Sequence, residues 1–167
     1  MSDHIALRIE FSSDRFDMTG PLPEDSNAGN RCYGEEVCRW LCETLPQWNL
    51  DYFDEDWGWM LVSSRNTAGD TPEDHQVCVY AYPPGTSNQD GSVSHAGEWM
   101  LILHKRAQRP WLKFFMRWRY AAFEAALADD IIAALRAIGA GDLRANTLQM
   151  DSAGNETTQI PYTLPTI

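Results

Sequence analysis

Three segments decide the fold: WGWMLVSS at residues 57–64, QVCVYAY at 76–82 and EWMLILH at 98–104. Each is rich in large apolar residues, and the connections between them are polar and rich in Gly, Pro, Ser, Asn and Asp, as is typical of strands joined by loops. Side chains alternate between the two faces of a strand, and in these segments both alternating sets are apolar. The sequence therefore predicts a sheet whose two faces both need cover.

Two further strands and two helices complete the predicted fold. HIALRIEF at 4–11 alternates as a first strand, and LRANTLQM at 143–150 is the last one. Apolar residues recur at helical spacing in 33–45 and in 121–138, so both segments are predicted as helices. The element order is β-α-β-β-β-α-β. We expect a two-layer α+β domain with a mixed sheet of about five strands and two main helices.

One segment allows two structures, and the C-terminal residues read as a tail. The sequence WLKFFMRWRY at 111–120 alternates as a strand does, but Pro110 and the helix that follows favour a short helical entry turn, which we predict. The length suits one domain, so residues 1–150 are predicted as a single α+β domain. Residues 151–167, polar and interrupted by Pro161 and Pro165, are predicted as a surface tail.

Charge is large and unevenly distributed. The net charge is −11; residues 1–100 contain 18 acids and 5 bases, whereas residues 101–167 contain 6 acids and 8 bases. An acidic chain is repelled by phosphates and by anionic lipid, so we expect neither nucleic acid nor membrane as a partner. The bases between 105 and 119 are expected to pair with the acidic half. A basic partner, or a second copy of the chain, remains open.

The N-terminal residues MSDH lack the basic start and apolar run of a signal peptide, and no stretch approaches the roughly 18–20 apolar residues of a membrane span. We therefore expect a cytoplasmic protein. Cys32, Cys38, Cys42 and Cys78 are expected to be reduced thiols, since such a compartment keeps cysteines reduced. Cys38, Cys42 and Cys78 could form a zinc site with His75, but the spacing of the first two equally serves a helical core stripe.

The candidate site lies at the start of the segment 57–64. Acidic and aromatic residues are crowded there: Asp51, Asp54, Glu55, Asp56, Trp57 and Trp59. Tryptophan is prominent in binding hot spots and carboxylates attract a basic surface, so we predict that these residues contact a protein partner. A solvated acidic loop without a function is one alternative. A catalytic or divalent-metal site, with His75 as a further ligand, is another.

Recognisable catalytic signatures are missing from the sequence. It contains no glycine-rich phosphate loop, nucleophile elbow or HExxH motif. We assign no catalytic residue, metal ligand or cofactor, and the balance leans away from an enzyme. The segment NAGNR at 27–31 lies before the first predicted helix, where it either binds an anion or caps the helix.

With these motifs placed, the chain resembles a set of small uncharacterised bacterial proteins. The shared parts are an N-terminal strand, NAGNR at 27–31 leading into a helix, DWGW at 56–59 opening a strand, and a late helix and strand. The resemblance covers most of residues 4–150 and implies a shared α+β fold; it carries over no catalytic residues. By size and charge the chain is also similar to the immunity proteins of bacterial toxin systems.

Three functions remain open at this stage. The first is a protein-binding module that neutralises or regulates a basic partner through residues 51–59. The second is a small metal-assisted hydrolase that uses the same acids with His75. The third is a structural homodimer joined through a face of the sheet.

Overall fold

The computed structural model describes residues 4–65, 73–82, 97–112, 115–150 and 156–165. Within these ranges the chain forms strands, two α-helices and two short 3₁₀ turns. The strands are β1 (His4–Ser12), β2 (Asp51–Glu55), β3 (Gly58–Arg65), β4 (Glu73–Ala81), β5 (Glu98–Leu112), β6 (Phe115–Ala121), β7 (Gly141–Met150) and β8 (Glu156–Pro161). The helices are α1 (Glu35–Thr44) and α2 (Ala125–Ala137).

The described strands belong to one antiparallel sheet. Their order is β2-β3-β4-β5-β1-β7-β8, and β6 pairs with β5 outside this path. Strand β5 is 15 residues long, and its first half pairs with β1 while its second half pairs with β6. The N-terminal strand β1 therefore lies inside the sheet, with β5 on one side and β7 on the other.

The predicted fold class, a two-layer α+β domain with a mixed five-stranded sheet, is wrong. The described residues are mostly sheet, with eight antiparallel strands and two helices. Both predicted helices are present, although each is shorter than expected. The difference comes from three strands that were not predicted, namely β2, β6 and β8.

Each missed strand has a physical reason. Strand β2 carries three acids in five residues, a loop-like composition that is tolerated because an edge strand exposes its side chains to water. In 111–120 the predicted helical turn is wrong: β5 extends to Leu112 and β6 begins at Phe115, with Pro110 beside a register shift, where proline is tolerated. Strand β8, within the predicted tail, is exposed along its whole length and therefore has no apolar pattern.

One hydrophobic core lies between the sheet and both helices. Its strand residues alternate along each strand, as expected when one face is buried, and the fully buried Trp99 lies among them. The residues that the sheet, α1 and α2 place in this core include Leu7, Ile9, Leu61, Val77, Leu101, Val37, Leu41, Leu127, Ile131 and Leu135. The two helices therefore share one side of the sheet, which the sequence alone left open.

The second face of the sheet carries the alternate residues of the same strands. Met60, Val62, Tyr80, Met100 and Ile102 are half-buried and lie outside that core. Among the described residues both helices pack on the first face, so neither helix covers the second. The sequence predicted apolar residues on this face, and they are present. They are less completely buried than the residues of the first face.

Candidate functional site

Strands β2 and β3 form a hairpin whose tip holds the predicted site. The last pair is Glu55 with Gly58, and Asp56 and Trp57 form the two-residue turn between them. Gly58 has a φ of +154°, and a Cβ added there would lie 2.9 Å from the carbonyl oxygen of Val79. Glycine is therefore the residue that allows the hairpin to lie this close to β4.

The hairpin distributes the four predicted acids over two faces and the tip. Asp54 pairs with Trp59, a core residue, and so lies on the helix-covered face. Asp51 and Glu55 have the opposite alternation and lie on the second face, while Asp56 is in the turn. Three of the four carboxylates are exposed and that of Glu55 is half-buried. Three of these four acids belong to a strand, so the loop expected at 51–56 is reduced to its tip.

The two predicted tryptophans occupy opposite environments. Trp57 is 38% exposed, and its ring packs 5.2 Å from that of Tyr80 at an interplanar angle of 34°. Trp59 is 9% exposed and its indole N–H donates to the carbonyl oxygen of Cys32 at 2.8 Å. Trp57 is therefore the more accessible of the two indoles, whereas most of Trp59 is packed into the core.

A buried asparagine binds the hairpin to the loop before α1. Asn27 is 0% exposed, and its Nδ2 donates to the carbonyl oxygens of Glu55 (2.9 Å) and Gly58 (2.6 Å). Its Oδ1 accepts hydrogen bonds from the Cys32 N–H (3.0 Å) and from the Ser26 hydroxyl (2.9 Å). Both atoms of the amide are thus fully used, which is what burial of a polar group requires.

The backbone of this loop is strained. Positive φ angles occur at Asn27 (52°), Ala28 (54°), Gly29 (89°) and Arg31 (53°). Such an angle costs roughly 1–2 kcal/mol at a residue other than glycine, and asparagine is among those that tolerate it best. Asn30 adds a hydrogen bond from Nδ2 to the carbonyl oxygen of Asp56 at 2.6 Å. The contacts with the hairpin offset the strain and fix the shape of the tip.

The sequence of this loop predicted that it either caps the helix or binds an anion. The capping role is wrong, because the residue before α1 is Gly34 and it has no side-chain cap. The loop instead joins the NAGNR and DWGW segments, which are the two motifs that the resemblance singled out. The signal in the sequence was the presence of Asn27 and Gly29, residue types that tolerate positive φ. The hairpin that the loop contacts is far away in the sequence.

An acidic groove lies on the helix-covered side of the hairpin, beside this loop. It has a volume of about 470 Å³. Its charged lining consists of five carboxylates and one guanidinium, from Asp17, Asp25, Glu35, Glu36, Asp54 and Arg39. Apolar contact surface comes from Pro21, Leu22, Pro23, Tyr33 and Trp59. Such a groove suits a cationic group carried on an apolar stem.

Hydrogen bonds stabilise the ionised form of one carboxylate in this groove. The N–H and hydroxyl of Thr19 bind the Asp17 carboxylate and hold its pKa below the usual value, so it stays ionised well below neutral pH. The negative charge of Glu35 is partly offset by Arg39, whose Nη2 lies 2.8 Å from Oε1 of Glu35. Asp54 is the groove acid that also belongs to the hairpin, and it accepts the Asn27 N–H at 3.4 Å.

A second, smaller groove of about 160 Å³ lies next to the first, and Cys32 and Tyr33 line both. Its walls include the aromatic rings of Trp57, Tyr80 and Tyr33. The acidic groove and this aromatic groove therefore form one continuous surface around the hairpin tip. We call it the tip surface.

The metal-site alternatives find no converging set of ligands. In the part of the chain that the structure describes, no three His, Cys, Asp or Glu side chains form a group that could hold a metal ion. His75 is buried and lies 5.8 Å from the ring of Trp48. On β3, His75 pairs with Ser63 and Asp54 pairs with Trp59. These two β3 residues are four positions apart, which corresponds to about 13 Å along a strand. Asp54 and His75 are thus separated along the sheet, and Asp51, which pairs with Val62, lies on the opposite face from His75.

The four cysteines are free thiols, and their surroundings suppress ionisation. Burial raises the pKa of Cys78 to about 12 and raises that of Cys38 further. Burial also raises the pKa of Cys32, helped by the Asp56 carboxylate, and that of Cys42, helped by Asp51. Since the thiolate is the reactive form, none of the four has the environment of a nucleophile.

We expect iodoacetamide to modify the folded chain unevenly. Cys32 and Cys42 are half-buried and should react at least about tenfold faster than the buried Cys38 and Cys78, because access as well as ionisation limits the reaction. Peptide mapping by mass spectrometry at several reaction times measures the four rates. Equal rates in the folded protein would contradict this prediction, and the urea-unfolded chain provides the reference in which they should converge.

Comparison with protein-family models, with curated proteins and with solved structures found no match for the chain. Neither helix in the described residues is long and apolar enough to span a bilayer.

Proposed function

We propose that this chain is a cytoplasmic protein-binding module that neutralises or regulates a basic partner through the tip surface. The observation that carries the proposal is the juxtaposition of a five-carboxylate groove with the exposed ring of Trp57. An aromatic anchor beside a charged rim is the usual anatomy of a binding hot spot. A basic partner supplies the opposite charge to a chain whose net charge is −11.

The rigid construction of the tip supports the same role. Asn27 and Asn30 fix the carbonyl groups of the turn, so the exposed side chains at the tip start from a defined backbone. Binding to a preorganised surface loses less conformational entropy than binding to a mobile loop. The strained angles of the loop are the kind of backbone cost that is found at functional sites.

The test is an affinity purification from the native cell with the immobilised wild-type chain, followed by calorimetry with the captured protein. We expect Trp57→Ala to weaken the affinity at least about tenfold, which corresponds to the loss of a hot-spot aromatic. The double variant Asp54→Asn, Asp56→Asn should weaken it about three- to tenfold and lower its salt dependence.

The matched control removes the same charge elsewhere. Glu43 on α1 and Asp142 on β7 are exposed and lie outside both grooves, so Glu43→Gln combined with Asp142→Asn tests net charge alone. Retained affinity in the control and loss in the tip variants would support the proposal. If the captured protein binds all variants as tightly as the wild type, the tip surface is not its binding site.

A further inference from the structure

Strand β2 is one end of the strand path of the sheet. It pairs with β3 on one side, and no other described strand pairs with its second edge. An edge strand presents a row of backbone N–H and C=O groups to which a further strand can add. At the other end of the path, β8 offers the same kind of edge.

The side chains of β2 have a pattern that selects what can be added. Asp51, Phe53 and Glu55 share the second face of the sheet, and Asp54 lies with Tyr52 on the helix-covered face. Carboxylates therefore lie on both faces of the strand, and Phe53 is 52% exposed between two of them. An added strand meets an apolar residue flanked by negative charge on one face and a single carboxylate on the other.

The same pattern disfavours a second copy of the chain as the occupant. Pairing β2 with the β2 of another copy would bring three carboxylates of each chain together, and like charges on neighbouring strands are destabilising. Strand β8 lacks this selectivity: it carries one acid, Glu156, whose carboxylate lies 3.7 Å from the guanidinium of Arg8. Charge thus distinguishes the two edges.

We infer that β2 accepts an extended basic segment of the partner as an additional antiparallel strand. This inference rests on the proposed function and names its mode of recognition. Opposite β2 in antiparallel register, the segment carries basic residues facing Glu55, Asp54 and Asp51 and an apolar residue facing Phe53. Its order is therefore basic-basic-apolar-any-basic. Backbone pairing supplies the affinity, and the side chains supply the specificity.

The position of Asp54 connects this edge with the tip surface. Asp54 lines the acidic groove and belongs to β2, so a basic side chain opposite it enters the groove while the segment pairs along the edge. The partner segment and the aromatic anchor site at Trp57 then lie at the same hairpin.

The test uses a synthetic peptide, acetyl-Thr-Lys-Lys-Val-Thr-Lys-Thr-amide, and the full chain labelled with ¹⁵N. We expect saturable shifts of the β2 amide signals, with no shift of the β8 amides and with an affinity that falls as salt is added. Two versions of the peptide, N-methylated at alternate residues, distinguish strand pairing from charge attraction. Only one of the two sets of N–H groups faces β2, so one version should lose at least about tenfold in affinity and the other should bind like the parent.

Three outcomes would overturn the inference: shifts that leave β2 unaffected, equal weakening by both methylated peptides, and equal binding of a peptide with the same composition in scrambled order. Phe53→Ser should weaken the parent peptide, whereas Ile160→Ser, which replaces the similarly exposed apolar residue of β8, should leave it unchanged. Failure of the peptide, with the captured partner still sensitive to Trp57 and Asp54, would reject strand addition and leave the proposed function standing. If the peptide does not bind and the captured partner is insensitive to changes at Trp57 and Asp54, the tip surface is not the binding site.

Discussion

Replacing Asn27 by alanine is expected to lower the free energy of unfolding by about 3–5 kcal/mol, because a buried hydrogen-bonding group is removed and its partners stay buried. The carbonyl oxygens of Glu55 and Gly58 and the N–H of Cys32 would lose their partner together. Alanine also tolerates the φ of 52° less well than asparagine does. Urea unfolding followed by tryptophan fluorescence measures the change.

Two companion variants separate the hydrogen bonds from the backbone strain. Asn49 has a φ of 47° and is exposed, so Asn49→Ala should cost only about 1 kcal/mol, which is the strain alone. Asn27→Asp keeps the acceptor oxygen but removes both donors, and it should lose most of what Asn27→Ala loses. A cost of Asn27→Ala equal to that of Asn49→Ala would show that the side chain does not hold the hairpin.

Replacing Gly58 by alanine is expected to cost about 3 kcal/mol or more, since two penalties coincide at this residue. The φ of +154° is one that side chains rarely adopt, and the new Cβ would lie 2.9 Å from the Val79 carbonyl oxygen, a backbone atom that cannot move aside alone. The hairpin tip would have to shift away from β4. We therefore expect Gly58→Ala to impair partner binding as well as stability.

Gly139 is the matched control for this substitution. It has a φ of +73°, but a Cβ there meets no atom within 4 Å, so Gly139→Ala carries the conformational cost without the collision and should lose about 1 kcal/mol. Thermal and urea unfolding of both variants give the comparison. Equal losses at the two glycines would mean that the contact with Val79 has no energetic weight.

The parts of the fold that were predictable are those with strong local periodicity. The stripe containing Leu127, Ile131 and Leu135 predicts α2, alternation predicts β1, and short apolar segments between polar connections predict the central strands. Strand β2 could not be predicted in this way, because its carboxylates are stable only at an edge, and the edge is a property of the whole sheet. The side chains of segment 115–121 alternate as in a strand. The prediction of a helical turn relied too strongly on Pro110, which does not interrupt the sheet.

The candidate site was chosen from local composition, but the way in which the site is built could not be predicted from composition. Crowded acids and tryptophans singled out the hairpin on which the proposed site rests, since charge and aromatic content are local properties. Which tryptophan faces water depends on strand alternation and on the turn, and Trp57 and Trp59 could be told apart only once the turn at 56–57 was known. The role of Asn27 was hidden because its hydrogen-bond partners on the hairpin follow it by 28 and 31 residues.

The central place of β1 has a consequence for biosynthesis. Leu7 pairs with Leu103 and Ile9 pairs with Ala145, so β1, which precedes the other described strands along the chain, finds its neighbours only after the residues between it and β5 have been made. At about 5–20 residues per second, the wait for the first neighbour lasts roughly 5–20 s. During that time both edges of an apolar strand are open to other nascent chains. Arg8 and Glu10, in the middle of β1, give it the charge that discourages such encounters before the sheet closes around it.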